Sequence, residues 1–366
     1  MPQVIFSPGR LALRLAEGMT AAGVDVTLFT PGPADTTVRN ITVDLGYFER
    51  ELATRGDSYI ELLKKHPLVF VSLARQAQAE LIAKAYAMAN AGGLDLVHIY
   101  TNEEDLALPF AALCRAPVVF THHDPFSFMV RYKHVFPKYA HLNWISVSLA
   151  QRRDMPLDTN WLANIYHGVD GRAFRPVDQP TGDYFAYLGR VVETKGVHLA
   201  IAAVKEYNRA HPGAPMKLKI AGKHYAGHGK DLYWQNRIMP ELGSEIEYVG
   251  FIRVEEQKRQ FLANARALIM PSTFDEPFGL VMAEALACGT PVVGLNSGSI
   301  PEVVRDGETG FVVKNAGGLT VALREVETLD RKLCRADFEK RFTLERMVTE
   351  HHRVYKKVLG IADAQA

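Results

Sequence analysis

The sequence predicts an α/β protein of two domains, each built on a parallel sheet. Three observations carry this. Short β-branched runs alternate with helical patterns through the first half, the alternation restarts at Tyr184, and the stretch between, Asn160–Pro180, collects Gly168, Gly171, Pro176 and Pro180 among polar residues, as a linker does. The 366 residues suit two domains of ordinary size. Strand–helix–strand repetition implies parallel pairing through right-handed crossovers.

Taken in order, Gln3–Phe6 reads as a short strand followed by Ser7-Pro8-Gly9. Leu11–Ala22 has helical spacing and stops at Gly23, a C-cap signal. Val24–Phe29 is a strand that ends at Thr30-Pro31-Gly32. Glu61–Asn90 is helical and broken near His66-Pro67, Leu94–Tyr100 is a strand, Asp105–Leu113 a helix and Pro117–Thr121 a strand. Beyond the linker, Tyr184–Leu188, Met216–Ala221, Ile246–Val249, Ala267–Met270, Pro291–Val293 and Gly310–Val313 are strands with helices between most of them. Thr343–Leu359 is a helix expected to pack back across the cleft between the domains. The expected domains are residues 1–165 joined by the C-terminal helix 345–366, and residues 170–345. Ligands of open α/β sheets bind outside the carboxyl ends of the strands, so two such sheets facing one another hold two reactants, one each.

Composition narrows the function. The 42 basic and 41 acidic side chains leave a formal charge of +1, without the basic excess of a nucleic-acid binder. Cys114, Cys288 and Cys334 are odd in number and lack CxxC spacing, which points to reduced thiols in a cytoplasmic protein rather than disulfides or zinc. No signal peptide, membrane span or metal-ligand spacing is expected.

The segment Pro271–Val313, PSTFDEPFGLVMAEALACGTPVVGLNSGSIPEVVRDGETGFVV, is the richest in chemistry. Asp275-Glu276-Pro277 reads as a helix start, Pro suiting the first turn, with the helix running to about Cys288. On that helix Glu284 would lie about 80° around and roughly 12 Å along from Glu276. Two carboxylates and exposed amides near Gly279 suit the hydroxyls and diphosphate of a sugar nucleotide. The plainer reading is a capping Glu276 and a solvated Glu284. Arg190 and Lys195 follow a strand at a loop-to-helix start and can neutralise a diphosphate, the Arg with a bidentate fork.

Glu-x7-Glu preceded by PS and followed by ACGTPVV and GSIPEVV resembles the donor-binding segment of glycosyltransferase family 4. YLGRVVETKGVHLAIAA (Tyr187–Ala203), IEYVGFI (Ile246–Ile252), YHGVDGRAFRP (Tyr166–Pro176) and PVVFTHHDP (Pro117–Pro125) resemble that family's Gly-Arg…Lys-Gly stretch, base-binding turn, hinge and first-domain His loop. The match is strongest over about residues 160–330 and fair over 94–125. The resemblance implies a GT-B fold of two facing Rossmann-like domains, an N-terminal acceptor domain and a C-terminal nucleotide-sugar donor domain. It implies a retaining hexosyltransferase that uses a nucleotide-diphosphate sugar, UDP before GDP or ADP. Glu276 then holds donor-sugar hydroxyls and Glu284 the ribose. Gly189, Arg190, Lys195 and the backbone of Phe278, Gly279 and Leu280 serve the phosphates and sugar, and Gly250 to Arg253, with Ile252, border the base. His123, with His122 as its rival one residue away, stands by the transferred sugar.

No metal or cofactor is expected, since the cations take that place. The acceptor is a carbohydrate, lipid or small molecule. Lys223 approaches the phosphates or is a solvated lysine, and Thr101–Asp105 faces the acceptor or is an ordinary acidic loop. Arg131, Lys133, His134 and Lys138, interleaved with Tyr132, Phe136 and Tyr139, read as a mobile amphipathic loop before an anion site or a weak peripheral membrane contact. One departure stands out: the family's Gly-Gly loop falls on Phe6-Ser7. A nucleotide-sugar epimerase and a non-catalytic nucleotide-sugar binder are the alternatives. A phosphorylase would need a pyridoxal-binding lysine, and no such context is found.

Overall fold

The computed structural model describes residues 7–100, 104–224 and 231–362. The strand expected at Gln3–Phe6, Phe6 of the Gly-Gly position, residues 101–103 of the Thr101–Asp105 loop and residues 363–366 of the C-terminal segment lie outside the described residues. The chain divides into two compact units: Met1–Val147 with Arg152–Ile165 and Leu344–Ala366, and Ser148–Gln151 with Tyr166–Thr343.

The first unit holds β1 (Thr27–Phe29) paired with β2 (Arg39–Ile41), and a four-stranded parallel sheet in the order β3 (Val97–Ile99), β4 (Val118–Thr121), β5 (Asn143–Ser146) and β6 (Trp161–Asn164). The expected linker therefore begins inside a strand, because Trp161–Asn164 pairs with β5 and places Trp161 against Phe126 of the core. The expected long helix splits as its sequence implies, into Tyr59–Lys65 and Pro67–Asn90, with Pro67 opening the second. Asp105–Leu113 is shorter in α-helix than expected: Glu104–Ala107 is followed by a 3-10 turn, Leu108–Leu113, with Pro109 at its start. Ser7 opens a helix, Ser7–Ala21, so Pro8-Gly9 lies in its first turn rather than in a loop. The helix Leu344–Val358 belongs to this unit and packs on Ser7–Ala21, where Gly18 makes room for Val348.

The basic-aromatic stretch is ordered rather than loop-like. Val130–Val135 is a helix and Phe136–Tyr139 a 3-10 turn, with Tyr132 and Phe136 buried and Lys133, His134 and Lys138 outside. Burying two aromatics outweighs the polarity of the residues between them.

The second unit carries six parallel strands, β7 (Tyr184–Leu188), β8 (Lys217–Ala221), β9 (Ile246–Gly250), β10 (Ala267–Met270), β11 (Val292–Leu295) and β12 (Gly310–Val313), in the spatial order β12-β11-β10-β7-β8-β9. From β9 that is the order 3-2-1-4-5-6, with the reversal between β7 and β10. β10 and β11 are buried at every position, as strands covered on both faces are, whereas the edge strand β9 alternates. Val197, Ala200, Ile201 and Val204 of helix Val197–Ala210 pack on Phe185, Leu218, Ile220 and Ile269.

Candidate active site

The strand order reverses between β7 and β10, and in open α/β sheets the carboxyl ends at such a switch point are where ligands bind. The chain leaves β7 through Gly189 and Arg190, whose carbonyl accepts from the Tyr187 hydroxyl at 2.7 Å. The Gly189 amide donates to Ala221 O at 3.0 Å and Val191 N to Lys223 O at 2.8 Å, so this loop runs beside the one after β8. Arg190 is exposed, and its guanidinium has no hydrogen-bond or ion-pair partner among the described residues. Lys195 ends a single 3-10 turn, Glu193–Lys195, just before helix Val197–Ala210.

The loop after β10 meets this turn closely. Thr273 N donates to Thr194 O at 3.0 Å, and a Cβ on Gly196 would lie 2.0 Å from Pro271 O. Lys195 Nζ reaches Glu276 Oε1, and its ammonium lies 4.5 Å from the Phe274 ring centroid. Glu276 is 7% exposed and also accepts from Ser272 Oγ at 3.0 Å. A third loop, after β11, closes on it: Ser299 N donates to Glu276 O at 2.9 Å, and a Cβ on Gly298 would lie 2.3 Å from Glu276 N.

The helix begins later than the sequence suggests. It spans Leu280–Ala287, and Gly279 before it has φ 76°, outside the helical region. Asp275, Glu276 and Pro277 therefore precede the helix, and the helical angle and spacing expected between Glu276 and Glu284 do not apply. Glu284 alone is on the helix, and it is no solvated face: it is 8% exposed, and its carboxylate pairs with Lys258 Nζ at 2.5 Å. Phe278 is buried and its carbonyl accepts from Ser299 Oγ at 2.8 Å, while Gly279 and Leu280 head the helix, whose first amides have no partner within it. At the end of β9, Gly250 O accepts from Gly222 N at 2.9 Å, half-buried Ile252 follows, and exposed Lys223 lies 4.9 Å from the Phe251 ring centroid.

In the first unit the two histidines after β4 differ sharply. His122 is wholly buried among Phe126, Tyr132 and Phe136, with Nδ1 3.2 Å from Glu104 Oε2. Burial pushes its pKa down to about 4, so that contact involves a neutral ring. His123 is half-buried, its ring edge-on to Tyr100 at 4.5 Å. Ser272, Gly298 and Lys258 were not singled out from sequence. The first two lie inside PS and GSIPEVV, and Lys258 sits in a charged helix face that gives no signal of its own. Among the described residues no group of three His, Cys, Asp or Glu can hold a metal ion, and no helix is long and apolar enough to cross a membrane.

Two parallel α/β units, the second with its polar loops gathered at a topological switch point, define the GT-B class of fold. Comparison with known proteins agrees. The description "Glycosyl transferases group 1" matches residues 173–336 and "Glycosyltransferase Family 4" matches residues 8–170. Each of the two descriptions covers a little under half of the chain, one on each side of residue 172. Glycogen synthase of Mycobacterium tuberculosis is 36% identical over 148 residues, 38% of this chain and 33% of that protein, so the match spans about a third of the relative's length. Among solved structures, sucrose-phosphate synthase from Thermosynechococcus elongatus aligns with TM-score 0.70 at 22% identity, covering 95% of this chain and 92% of that one. Anabaena HepE, solved with UDP and glucose, aligns with TM-score 0.68 at 18% identity, covering 96% and 97%.

Proposed function

We propose that this chain is a retaining hexosyltransferase that takes its sugar from a UDP-sugar and passes it to an acceptor hydroxyl. The observation that carries the proposal is the Lys195–Glu276 pair at the switch point between β7 and β10, with Arg190 on the loop that leaves β7. A switch point offering two cations, one carboxylate and the head of a helix matches a ligand with a diphosphate and many hydroxyls. The UDP and glucose bound by HepE support the choice of nucleotide.

In this reading the second unit binds the donor. As the glycosidic bond breaks, charge grows on the leaving diphosphate. Arg190, Lys195 and the amides around Phe278, Gly279 and Leu280 stabilise it in place. Glu276 orients the sugar hydroxyls, Glu284 the ribose, and Gly189, Gly250 and Ile252 shape the floor beneath phosphate and base. The acceptor hydroxyl attacks from the face the diphosphate leaves, and the departing phosphate takes its proton. The first unit binds the acceptor, with His123 as its candidate residue. The buried neutral ring of His122 is committed to the core.

The cations replace a divalent metal, so activity persists in chelator. Thermal-shift titration with UDP, GDP and ADP and their glucose esters is the direct test. UDP and its sugar should raise the melting temperature most, since a ligand of the folded state alone stabilises it. Proton NMR of the transferred sugar should show the donor's anomeric configuration. Failure of every nucleoside diphosphate to shift melting would overturn the donor assignment.

A further inference from the structure

We infer that Lys258 is a positioning residue of the donor site, holding Glu284 as a two-oxygen acceptor for the ribose and so setting a preference for ribose over deoxyribose. This rests on the reading of Glu284 as the ribose ligand. Glu284 sits mid-way along Leu280–Ala287 between Ala283 and Ala285, both fully buried, and its own side chain is 11% exposed. A carboxylate in such an apolar layer is costly unless a cation and hydrogen bonds compensate it. The partner is Lys258, which reaches both carboxylate oxygens and is 2.5 Å from Oε1.

Lys258 is itself held. It projects from helix Glu255–Ala263, which follows directly on the Gly250–Arg253 turn proposed to border the base. Its ammonium lies 5.5 Å from the centroid of the buried Phe174 ring, a cation–π contact. Phe174 belongs to the GRAFRP motif, and its carbonyl accepts from Arg335 Nη1 at 2.8 Å. The motif's aromatic thus has a place in the donor site through Lys258. A Glu284 rotamer that left Lys258 would strand a buried charge, so the pair fixes which way the carboxylate faces. A carboxylate offers about four lone-pair sites, more than one ammonium uses. The remainder can accept two neighbouring hydroxyls, and a nucleotide lacking one of them loses a charge-assisted bond.

The test is calorimetric titration of the full chain with UDP, 2′-deoxy-UDP and 3′-deoxy-UDP. Wild type should prefer UDP over the deoxy form lacking the contacted hydroxyl by about tenfold or more, as loss of a bond to a charged group implies. Lys258→Met should bring the two within about twofold, and Lys258→Arg should restore most of the preference. A role limited to helix packing would lower stability but leave the ratio untouched. Lys258→Gln replaces the Met variant if the latter does not fold. Should Lys258→Met, or that Gln variant, keep the wild-type ratio while Glu284→Gln loses it, the inference about Lys258 falls and the ribose reading stands. Should Glu284→Gln keep it too, or wild type not discriminate, the ribose reading falls and takes the inference with it.

Discussion

Lys195 and Glu276 were assigned from sequence to different parts of the donor, the diphosphate and the sugar. In the structure they are each other's partners. Removing one leaves the other a partly buried, uncompensated charge, so their effects on turnover should not add. Single Ala variants and the double variant should show a coupling of about 1 kcal/mol or more in kcat/KM, the range for residues in one charged network. Additive losses would mean the pair is incidental. Arg190 stands apart: Arg190→Ala should cost about 2–4 kcal/mol in kcat/KM, the scale for one preorganised transition-state donor, and Arg190→Lys should rescue only in part. Steady-state kinetics beside UDP titration separates the two effects. These residues were legible because charged groups just past an apolar strand run have few places to go. Lys258 was not, because a lysine among Glu255, Glu256 and Arg259 reads as a solvated helix face until its carboxylate partner is located in space.

At the scale of elements, the parallel strands of the second unit were readable within a residue or two, since buried strands leave continuous apolar runs. Boundaries set by one backbone angle were not. The helix after β10 was started at Asp275 because Pro277 suits a first turn, yet Gly279 at φ 76° resets the start to Leu280. β5 and β6 went unread because each is only four residues long, and β6 lies inside the stretch that reads as a linker. The glycines that let loops touch are equally local. Gly196→Ala forces a Cβ toward Pro271 O at a φ of +70°, so it should destabilise the protein by more than ~1 kcal/mol, beyond the usual gain from a stiffer unfolded chain. Urea denaturation measures this, and an unchanged midpoint would show that the two loops yield.

At the scale of the molecule, the described residues of the first unit include three neutral histidines, His122 and His351 buried and His98 half-buried. Burial pushes His122 and His351 down to about 4 and His98 well below its usual value, the last aided by His351 nearby. His98 bonds the Tyr355 hydroxyl at 2.6 Å and Thr121 Oγ1 at 2.8 Å, and His351 Nδ1 donates to Met347 O at 2.8 Å. Their unfolded pKa, near 6.5, lies above the folded one. The unfolded chain therefore binds more protons between those values, and stability is complete above about pH 6.5 and lost as pH falls toward 4. His122 and His351 each account for on the order of 3 kcal/mol of that loss. Hydrogen exchange should show the first unit's core losing more protection than the second's between pH 7.5 and pH 5, and equal losses in both would contradict the assignment. The division into two α/β units followed from the restart at Tyr184, whereas the first unit's His–Tyr cluster joins residues some 250 positions apart in sequence and left no local trace.

The loops around Glu276 touch through main chain at their tightest points, Gly196 against Pro271 and Gly298 against the amide of Glu276. Such contacts do not depend on what side chains lie beside them. Thr194 and Thr273 can therefore drift, and the sugar accepted can drift with them, while the frame that presents Lys195 and Glu276 persists; Asp275, whose Oδ1 accepts from the Gly298 amide at 3.0 Å, belongs to that frame. A library randomised at those two threonines should return folded proteins far more often than one randomised at the two glycines. The same arrangement that makes the frame rigid leaves its substrate preference open to evolution.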